Sequence, residues 1–344
     1  MHYKNMTHSP MYSKVTIIDV AQHAGVSKST VSLVLSQPEK VSAKTKEKVH
    51  HSMTELGYVY NRDAASLRSK RSGLVAIILP FLDNPTFNDI ANTLQQGIMQ
   101  MGFVPMLLCS NDDVLTQQQL VNRLKESNVT AVLLCPAHNT DVNWQNALAQ
   151  SGITVINILR EVSLSEAPCV LADTKRGTFL ATQAILDKGC SSVILLGGKP
   201  TMSGYSRIVE GFQQAAQLHE RNANIHLIEC ANTRRASQEA LSENTLLASK
   251  EGPIGIVCFS DIVAYGVLDM LTNYGLVAGV DAFIVGLGDF PDSKLLPCPL
   301  SSVAIRSQEI AEHTLNNLTA LLNQQSVARR TLIDVTLIKR ASCS

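Results

Sequence analysis

A chain of 344 residues is long enough for two or three domains with sizeable cores, and no apolar run in it reaches the length of a membrane span, which excludes an integral helical membrane protein. Its net charge of zero hides an uneven distribution: residues 1–71 hold eleven Lys or Arg against five Asp or Glu, whereas the remainder holds 18 against 24. A basic head on an acidic body points to a polyanion partner for the head alone. The eight cysteines lie scattered, mostly in apolar runs, and no pair has metal-ligand spacing, so they read as buried small hydrophobes in a reducing compartment.

Residues 1–13 are polar and lack the apolar core of a secretion signal, so a cytoplasmic protein is expected. The next stretch, 15–35, reads as two helices and a tight turn. Thr16 can cap a first helix whose third residue is Asp19, giving two orphan amides partners and complementing the helix dipole. Val20, Ala21 and Ala24 form its small apolar face. Gly25 stands where the chain must turn sharply, and Ser27 can cap a second helix from Lys28 to about Leu35. Two short helices around a glycine turn make a helix-turn-helix, and Lys28, Ser29, Thr30 and Ser32 on the outer side suit base edges and phosphates.

A loop at 36–40 leads to Ser42, which can cap a third helix over 43–56, where Val49, Met53 and Leu56 recur at helical spacing and Gly57 ends the run. Lys44, Lys46 and Lys48 lie off that stripe and serve equally as solubilising charge or phosphate contacts. Residues 62–68 carry too little apolar surface for an independent helix and read as a linker able to fold on binding.

From Gly73 onward, near-continuous apolar runs at 74–79, 104–109, 131–135, 155–158, 193–196, 225–230, 254–259 and 283–287 alternate with helix-like segments. Such runs suit parallel strands buried on both faces with crossover helices, a doubly wound α/β architecture. Their number predicts two stacked subdomains. A ligand would sit beyond the carboxyl ends of the strands, at the loops 80–87, 136–139, 159–160, 199–207, 260–261 and 288–289. A further strand-like run, 331–338, is followed by no heptad tail.

Over nearly its whole length the chain resembles the lactose- and galactose-repressor family of bacterial transcription regulators. The specific residues are Thr16-Ile17-x-Asp19-Val20-Ala21-x-x-Ala24-Gly25-Val26-Ser27-x-x-Thr30-Val31-Ser32, then Val41-Ser42-x-x-Thr45, Leu56-Gly57-Tyr58, Asn61 and Ala64-x-x-Leu67-Arg68. The body matches more loosely, through Arg207-x-x-x-Gly211-Phe212 and Asp261-x-x-Ala264-x-Gly266. The resemblance implies an all-α head over 15–60, a hinge helix and linker over 61–72 and, behind a polar extension at 1–14, a periplasmic-binding-protein-like body of two interleaved subdomains over 73–344.

It further implies a nucleoid-associated homodimer without cofactor or metal, bound to pseudo-palindromic double-stranded operator DNA and governed by a small-molecule effector. Ala64, Leu67 and Arg68 would enter the minor groove, Leu67 as a wedge, although Leu67 packed on the body is the plainer alternative. Thr16, Ser27, Ser42, Asn61 and Lys70 would contact phosphates.

Two departures stand out. Where many relatives carry an arginine late in the recognition helix, this chain has Leu33, which offers a base only apolar contact and puts one G·C preference in doubt. Where sugar-binding relatives place cleft carboxylates, it has Leu159 and Gly288, with Asp289 displaced by one position. Thr86, Phe87, Ser203, Arg207 and Asp261 carry over as effector contacts, with core, surface or helix-cap roles as alternatives for Phe87, Ser203 and Asp261. One cation and fewer hydroxyl acceptors leave a sugar, a sugar phosphate or another small metabolite open. A solute-binding protein would share the body but not the basic head, and an enzyme is disfavoured because Gly197-Gly198-Lys199-Pro200 lacks the spacing of a phosphate loop and no nucleophile-base pair stands out.

Overall fold

A computed structural model describes residues 15–59, 72–219, 223–242 and 252–344. The chain divides into two compact units, residues 1–70 and 71–344, and each is taken by itself.

In the first unit, α1 (Ile17–Ala24), α2 (Lys28–Ser36) and α3 (Ala43–Leu56) form where the sequence places them. Thr16 and Asp19 make a reciprocal capping box, Ser27 accepts from the amide of Thr30, and Ser42 accepts from the amide of Thr45. Gly25 and Gly57 end α1 and α3 in the left-handed region, at φ 64° and 63°, where a side chain would be strained. Val20, Ala21, Ala24, Val31, Val34 and Val49 are buried together as one small core. His23 adds a polar tie, its Nδ1 lying 3.1 Å from Ser52 Oγ on α3.

The second unit holds two six-stranded sheets. The first lobe takes β1 (Leu74–Leu79), β2 (Val104–Cys109), β3 (Ala131–Leu134), β4 (Thr154–Ile158), β5 (Cys169–Ala172) and β11 (Arg330–Ile333), in the order β11-β5-β4-β3-β1-β2. The second takes β6 (Ser192–Leu196), β7 (Asn224–Ile228), β8 (Ile254–Cys258), β9 (Ala282–Gly288), β10 (Ser301–Ile305) and β12 (Val335–Ile338), in the order β12-β10-β9-β8-β6-β7. All pairings are parallel except β10 with β12. Central strands are buried on both faces, whereas β2 and β7 are edges with half-exposed residues, so their apolar runs do not mean full burial.

The helices are α4 (Pro85–Gln100), α5 (Val114–Glu126), α6 (Val142–Gln150), α7 (Thr174–Leu186), α8 (Tyr205–Leu218), α9 (Arg234–Ser242), α10 (Asp261–Asn273) and α11 (Ser307–Leu322). The chain crosses between lobes three times, at Asp173, Arg306 and Asp334. These crossings correct one sequence expectation: the run 331–338 is two strands in different sheets, broken at Asp334, not one. β5 and β10 also escaped the apolar-run criterion, β5 because four residues are too short to stand out and β10 because it opens on Ser301 and Ser302. Against α7, α8 approaches so closely that a Cβ on Gly211 would lie 2.2 Å from the carbonyl oxygen of Lys175.

Candidate functional site: a nucleic-acid face and a two-lobed cleft

On α2 the buried residues Val31 and Val34 turn one side to the core, which leaves Lys28 and Ser29 exposed and Thr30, Ser32 and Leu33 half-exposed. The helix therefore offers one cation, small hydroxyls and one apolar side chain to a groove. Ser27 Oγ lies 2.7 Å from Ser29 Oγ and 2.8 Å from Thr30 Oγ1, so these hydroxyls form a chain at the positive end of the helix. Thr16 and Ser42 are exposed and serve as caps, which presents the first turns of α1 and α3 to solvent in the same manner. Asn61, Ala64, Leu67, Arg68 and Lys70 lie outside the described residues.

In the body, the loops at the carboxyl ends of the strands face one another across a cleft. Thr86 is buried in the first turn of α4, where its amide donates to Asn84 Oδ1 at 2.9 Å. Together with Asp289 it lines a gap of about 90 Å³. Asp289 sits at φ 52°, its amide donates to Ser302 Oγ at 3.0 Å, and its Oδ1 lies 2.6 Å from Nη1 of Arg340, so a fixed cation already faces this carboxylate. Phe87 packs against the buried apolar cluster to which both lobes contribute.

Asp261 requires a correction. It is 0% exposed and accepts from the amide of Phe290 at 2.8 Å and from the hydroxyls of Ser293 and Ser302 at 2.5 Å each. Burial pushes its pKa up, against the pull of those donors. Asp261 is thus a buried tie between α10 and the β9–β10 region, not a cleft contact, because every direction in which it could accept leads into protein.

Gly288 adopts φ 132°, and a Cβ there would come within 2.5 Å of the Phe290 ring. Leu159 adopts φ 61° and packs on the buried apolar cluster to which both lobes contribute.

Arg207, on the first turn of α8, donates from Nη2 to Asp173 Oδ1 at 2.8 Å, and Asp173 is also the N-cap of α7. Its Nε is buried without a partner. The cation is therefore anchored at a crossover between the lobes. Ser203 donates from its amide to His138 Nδ1 at 3.0 Å and from its hydroxyl to the carbonyl of Glu161 at 3.3 Å, two bonds that span the cleft.

Sequence reasoning missed the charged cluster behind that contact. Asp112, His138 and Arg160 follow β2, β3 and β4, and Arg160 Nη1 donates to Asp112 Oδ1 at 2.6 Å and to the carbonyl of Pro136 at 3.1 Å. Nε2 of His138 lies 3.1 Å from Asp112 Oδ2, at an angle too oblique for a full hydrogen bond. Burial would raise the Asp112 pKa, yet the His138 ring and the Arg160 guanidinium outweigh it and hold the carboxyl far below the usual range. The visible signal was a charged or titratable residue just after each of three successive strands. Among the described residues no cluster of His, Cys, Asp or Glu could hold a metal, and no helix is long and apolar enough to cross a membrane.

A helix-turn-helix unit joined to a two-lobed, cleft-bearing body defines a ligand-responsive DNA-binding regulator as the class. Two family models match: bacterial regulatory proteins of the lacI family over residues 16–61, and the periplasmic binding proteins and sugar binding domain of the LacI family over residues 72–341. The chain belongs to the LacI family, a family of transcription regulators and not of enzymes. It is 27% identical to the maltose regulon regulatory protein MalI of Escherichia coli, covering 93% of this chain and 96% of that one. With the lactose operon repressor of the same organism it shares 28%, covering 95% and 90%, and with the regulator DegA of Bacillus subtilis 27%, covering 85% and 86%. Among solved structures, the lac repressor dimer bound to operator and an anti-inducer superposes with a TM-score of 0.84 at 23% identity, covering 96% of this chain and 99% of that one. A CelR–cellobiose complex gives 0.69 at 22%, covering 95% and 99%.

Proposed function

We propose that this protein is a cytoplasmic, nucleoid-associated repressor of a carbohydrate-utilisation operon. It binds a pseudo-palindromic operator as a homodimer and is released or engaged by a small-molecule effector in its body. The observation that carries the reading is the exposed face of α2, with Lys28, Ser29, Ser32 and Leu33 outward and Val31 and Val34 buried behind them. Two copies related by a dyad would place two such helices in successive major grooves, with the segment of Ala64, Leu67 and Arg68 in the minor groove between them. Thr16, Ser27, Ser42, Asn61 and Lys70 would hold the register through phosphates.

Control follows from the crossovers. An effector that contacts both lobes changes the balance between their arrangements only by binding one more tightly than the other. Arg207, tied to the crossover residue Asp173, supports a role in sensing that contact. The linkage is reciprocal, so an inducer must bind more weakly when operator is bound.

An electrophoretic shift assay with the DNA upstream of the protein's own gene tests the reading. Salt-sensitive, sequence-selective binding is expected, because neutralised phosphates release counterions. Its absence would overturn the proposal.

A further inference from the structure

Among the described residues, two hydrogen bonds join the lobes away from the crossovers, and both start at Ser203. One runs from its amide to Nδ1 of His138, the other from its hydroxyl to the carbonyl of Glu161. We infer that His138 is a proton-operated release for this contact: the lobes are joined there while its ring is neutral and parted there when the ring takes up a proton. Three observations carry this.

The first is the chemistry of the bond. A neutral imidazole has one acceptor nitrogen, whereas an imidazolium carries N–H on both. Once protonated, Nδ1 would meet the Ser203 amide at 3.0 Å as donor against donor, so that bond must open. What remains is the longer hydroxyl bond, at 3.3 Å, and the apolar cluster shared by both lobes, which takes up no proton. Histidine is the side chain whose charge ordinarily changes near neutrality, so the contact is whole where the ring is neutral and is lost as pH falls through the range of its protonation.

The second is the surroundings of the ring. His138 keeps 17% of its side chain exposed, so it borders solvent, and its Nε2 lies 3.1 Å from Asp112 Oδ2. Burial would raise the Asp112 carboxyl, yet the His138 ring and Arg160 keep it ionised far below neutral pH. An imidazolium therefore finds a counter-charge on one side as it loses its partner on the other. The remaining charged groups around the site are already matched: Arg160 with Asp112 and the carbonyl of Pro136, Glu161 with Arg330, and Arg207 with Asp173. Asp141 accepts from the amide of Trp144 as the N-cap of α6, and burial pushes the Cys135 thiol up to about 11, so it stays neutral.

The third is what each side of the bond can do. On the first lobe, Gln117 fixes the loop of His138 by accepting from the amide of Ala137 at 2.7 Å. On the second, Ser203 stands one residue before Gly204, the N-cap of α8, which sits at φ 84° and makes no side-chain cap bond. Release thus frees the Ser203 loop and the first turn of α8, where Arg207 meets the crossover residue Asp173. Contact between the lobes is thereby linked to pH at a crossover, and any consequence for operator binding rests on the regulator reading above.

The test is hydrogen exchange of the Ser203 amide in the full-length protein at about pH 8 and about pH 5, on either side of the ordinary histidine range, corrected for the pH dependence of exchange itself. In the wild type, protection should fall at least roughly five-fold at the lower pH, the worth of one ordinary hydrogen bond. His138→Asn keeps an oxygen acceptor near the place of Nδ1 and cannot take up a proton, so its protection should be the same at both. His138→Ala has neither acceptor nor proton site and should show the low value throughout; it carries the comparison alone should His138→Asn not fold. Wild-type protection that survives at the lower pH, or a fall of the same size in either variant, overturns the release. Binding of the upstream DNA is measured on the same samples. Selective DNA binding without the expected exchange removes the release and leaves the regulator reading standing, whereas the expected exchange without DNA binding does the reverse.

Discussion

The amide of Ser203 donates to Nδ1 of His138 at 3.0 Å, a hydrogen bond between a loop of the second lobe and a loop of the first, 65 residues apart in sequence. An acceptor nitrogen carries no proton, so His138 holds its hydrogen on Nε2, the side that faces Asp112. The loop beneath it is pinned by Gln117, which accepts from the amide of Ala137 at 2.7 Å and donates to Thr140 Oγ1 at 3.1 Å. Replacing His138 by alanine removes the acceptor and leaves this support in place. A hydrogen bond of net worth about 1 kcal/mol corresponds to a loss of roughly five-fold in protection of the Ser203 amide, read by hydrogen exchange. Unchanged protection would show that the bond does not hold the lobes together.

Asp112 links stability to pH. Its carboxyl is held far below the ordinary range by His138 and Arg160 against the effect of burial, so the folded state keeps it ionised where the unfolded chain would protonate it. The stabilisation is therefore complete above the unfolded value, about pH 4, and is lost progressively as the pH falls below it. In Asp112→Asn that part of the acid slope disappears. At pH 7 the variant loses about 3 kcal/mol, because Arg160 is left in a buried site without its partner. Urea denaturation at several pH values measures both effects.

Gly211 sets the distance between α7 and α8. A Cβ there meets the backbone oxygen of Lys175, which cannot swing aside as a flexible side chain could. Gly211→Ala is expected to destabilise by about 1 to 3 kcal/mol through overpacking. Since α8 carries Arg207 and α7 is capped by Asp173, the same variant should weaken effector-induced melting shifts beyond its effect on the apoprotein. Thermal denaturation with and without a binding sugar separates the two.

Leu33, half-exposed on α2, is the residue we propose to shape operator preference. In place of an apolar contact, Leu33→Arg brings a guanidinium able to bond two acceptors on guanine. Selection from a random DNA pool should recover a new G·C preference of about 1 to 3 kcal/mol in each half-site, with unselective affinity rising through added charge. An unchanged selected sequence would place Leu33 outside the base-reading face.

The hydroxyl of Ser27 caps the same helix and is proposed to contact DNA phosphate. Ser27→Ala removes the acceptor for the Thr30 amide and should cost about 1 kcal/mol of head stability. It also breaks the hydroxyl chain to Ser29, so operator affinity should fall further than the stability loss alone predicts. Parallel measurement of head unfolding and DNA binding tests that difference.

Residues 15–57 were legible in the sequence because their determinants are local. Thr16, Ser27 and Ser42 satisfy amides three positions away, and Gly25 and Gly57 end helices through their own φ angles, so neighbouring residues alone suffice to read them. The alternation of strands and helices in the body was readable for the same reason: buried parallel strands announce themselves as short apolar runs. The division of 331–338 between two sheets, the burial of Asp261 and the grouping of Asp112, His138 and Arg160 were not readable. Arg160 meets Asp112 across 48 residues and Asp261 meets Ser302 across 41, so whether a carboxylate faces a cleft or a core depends on which strand ends the sheet order brings together. That order is a consequence of long-range pairing and packing, which only the tertiary structure decides.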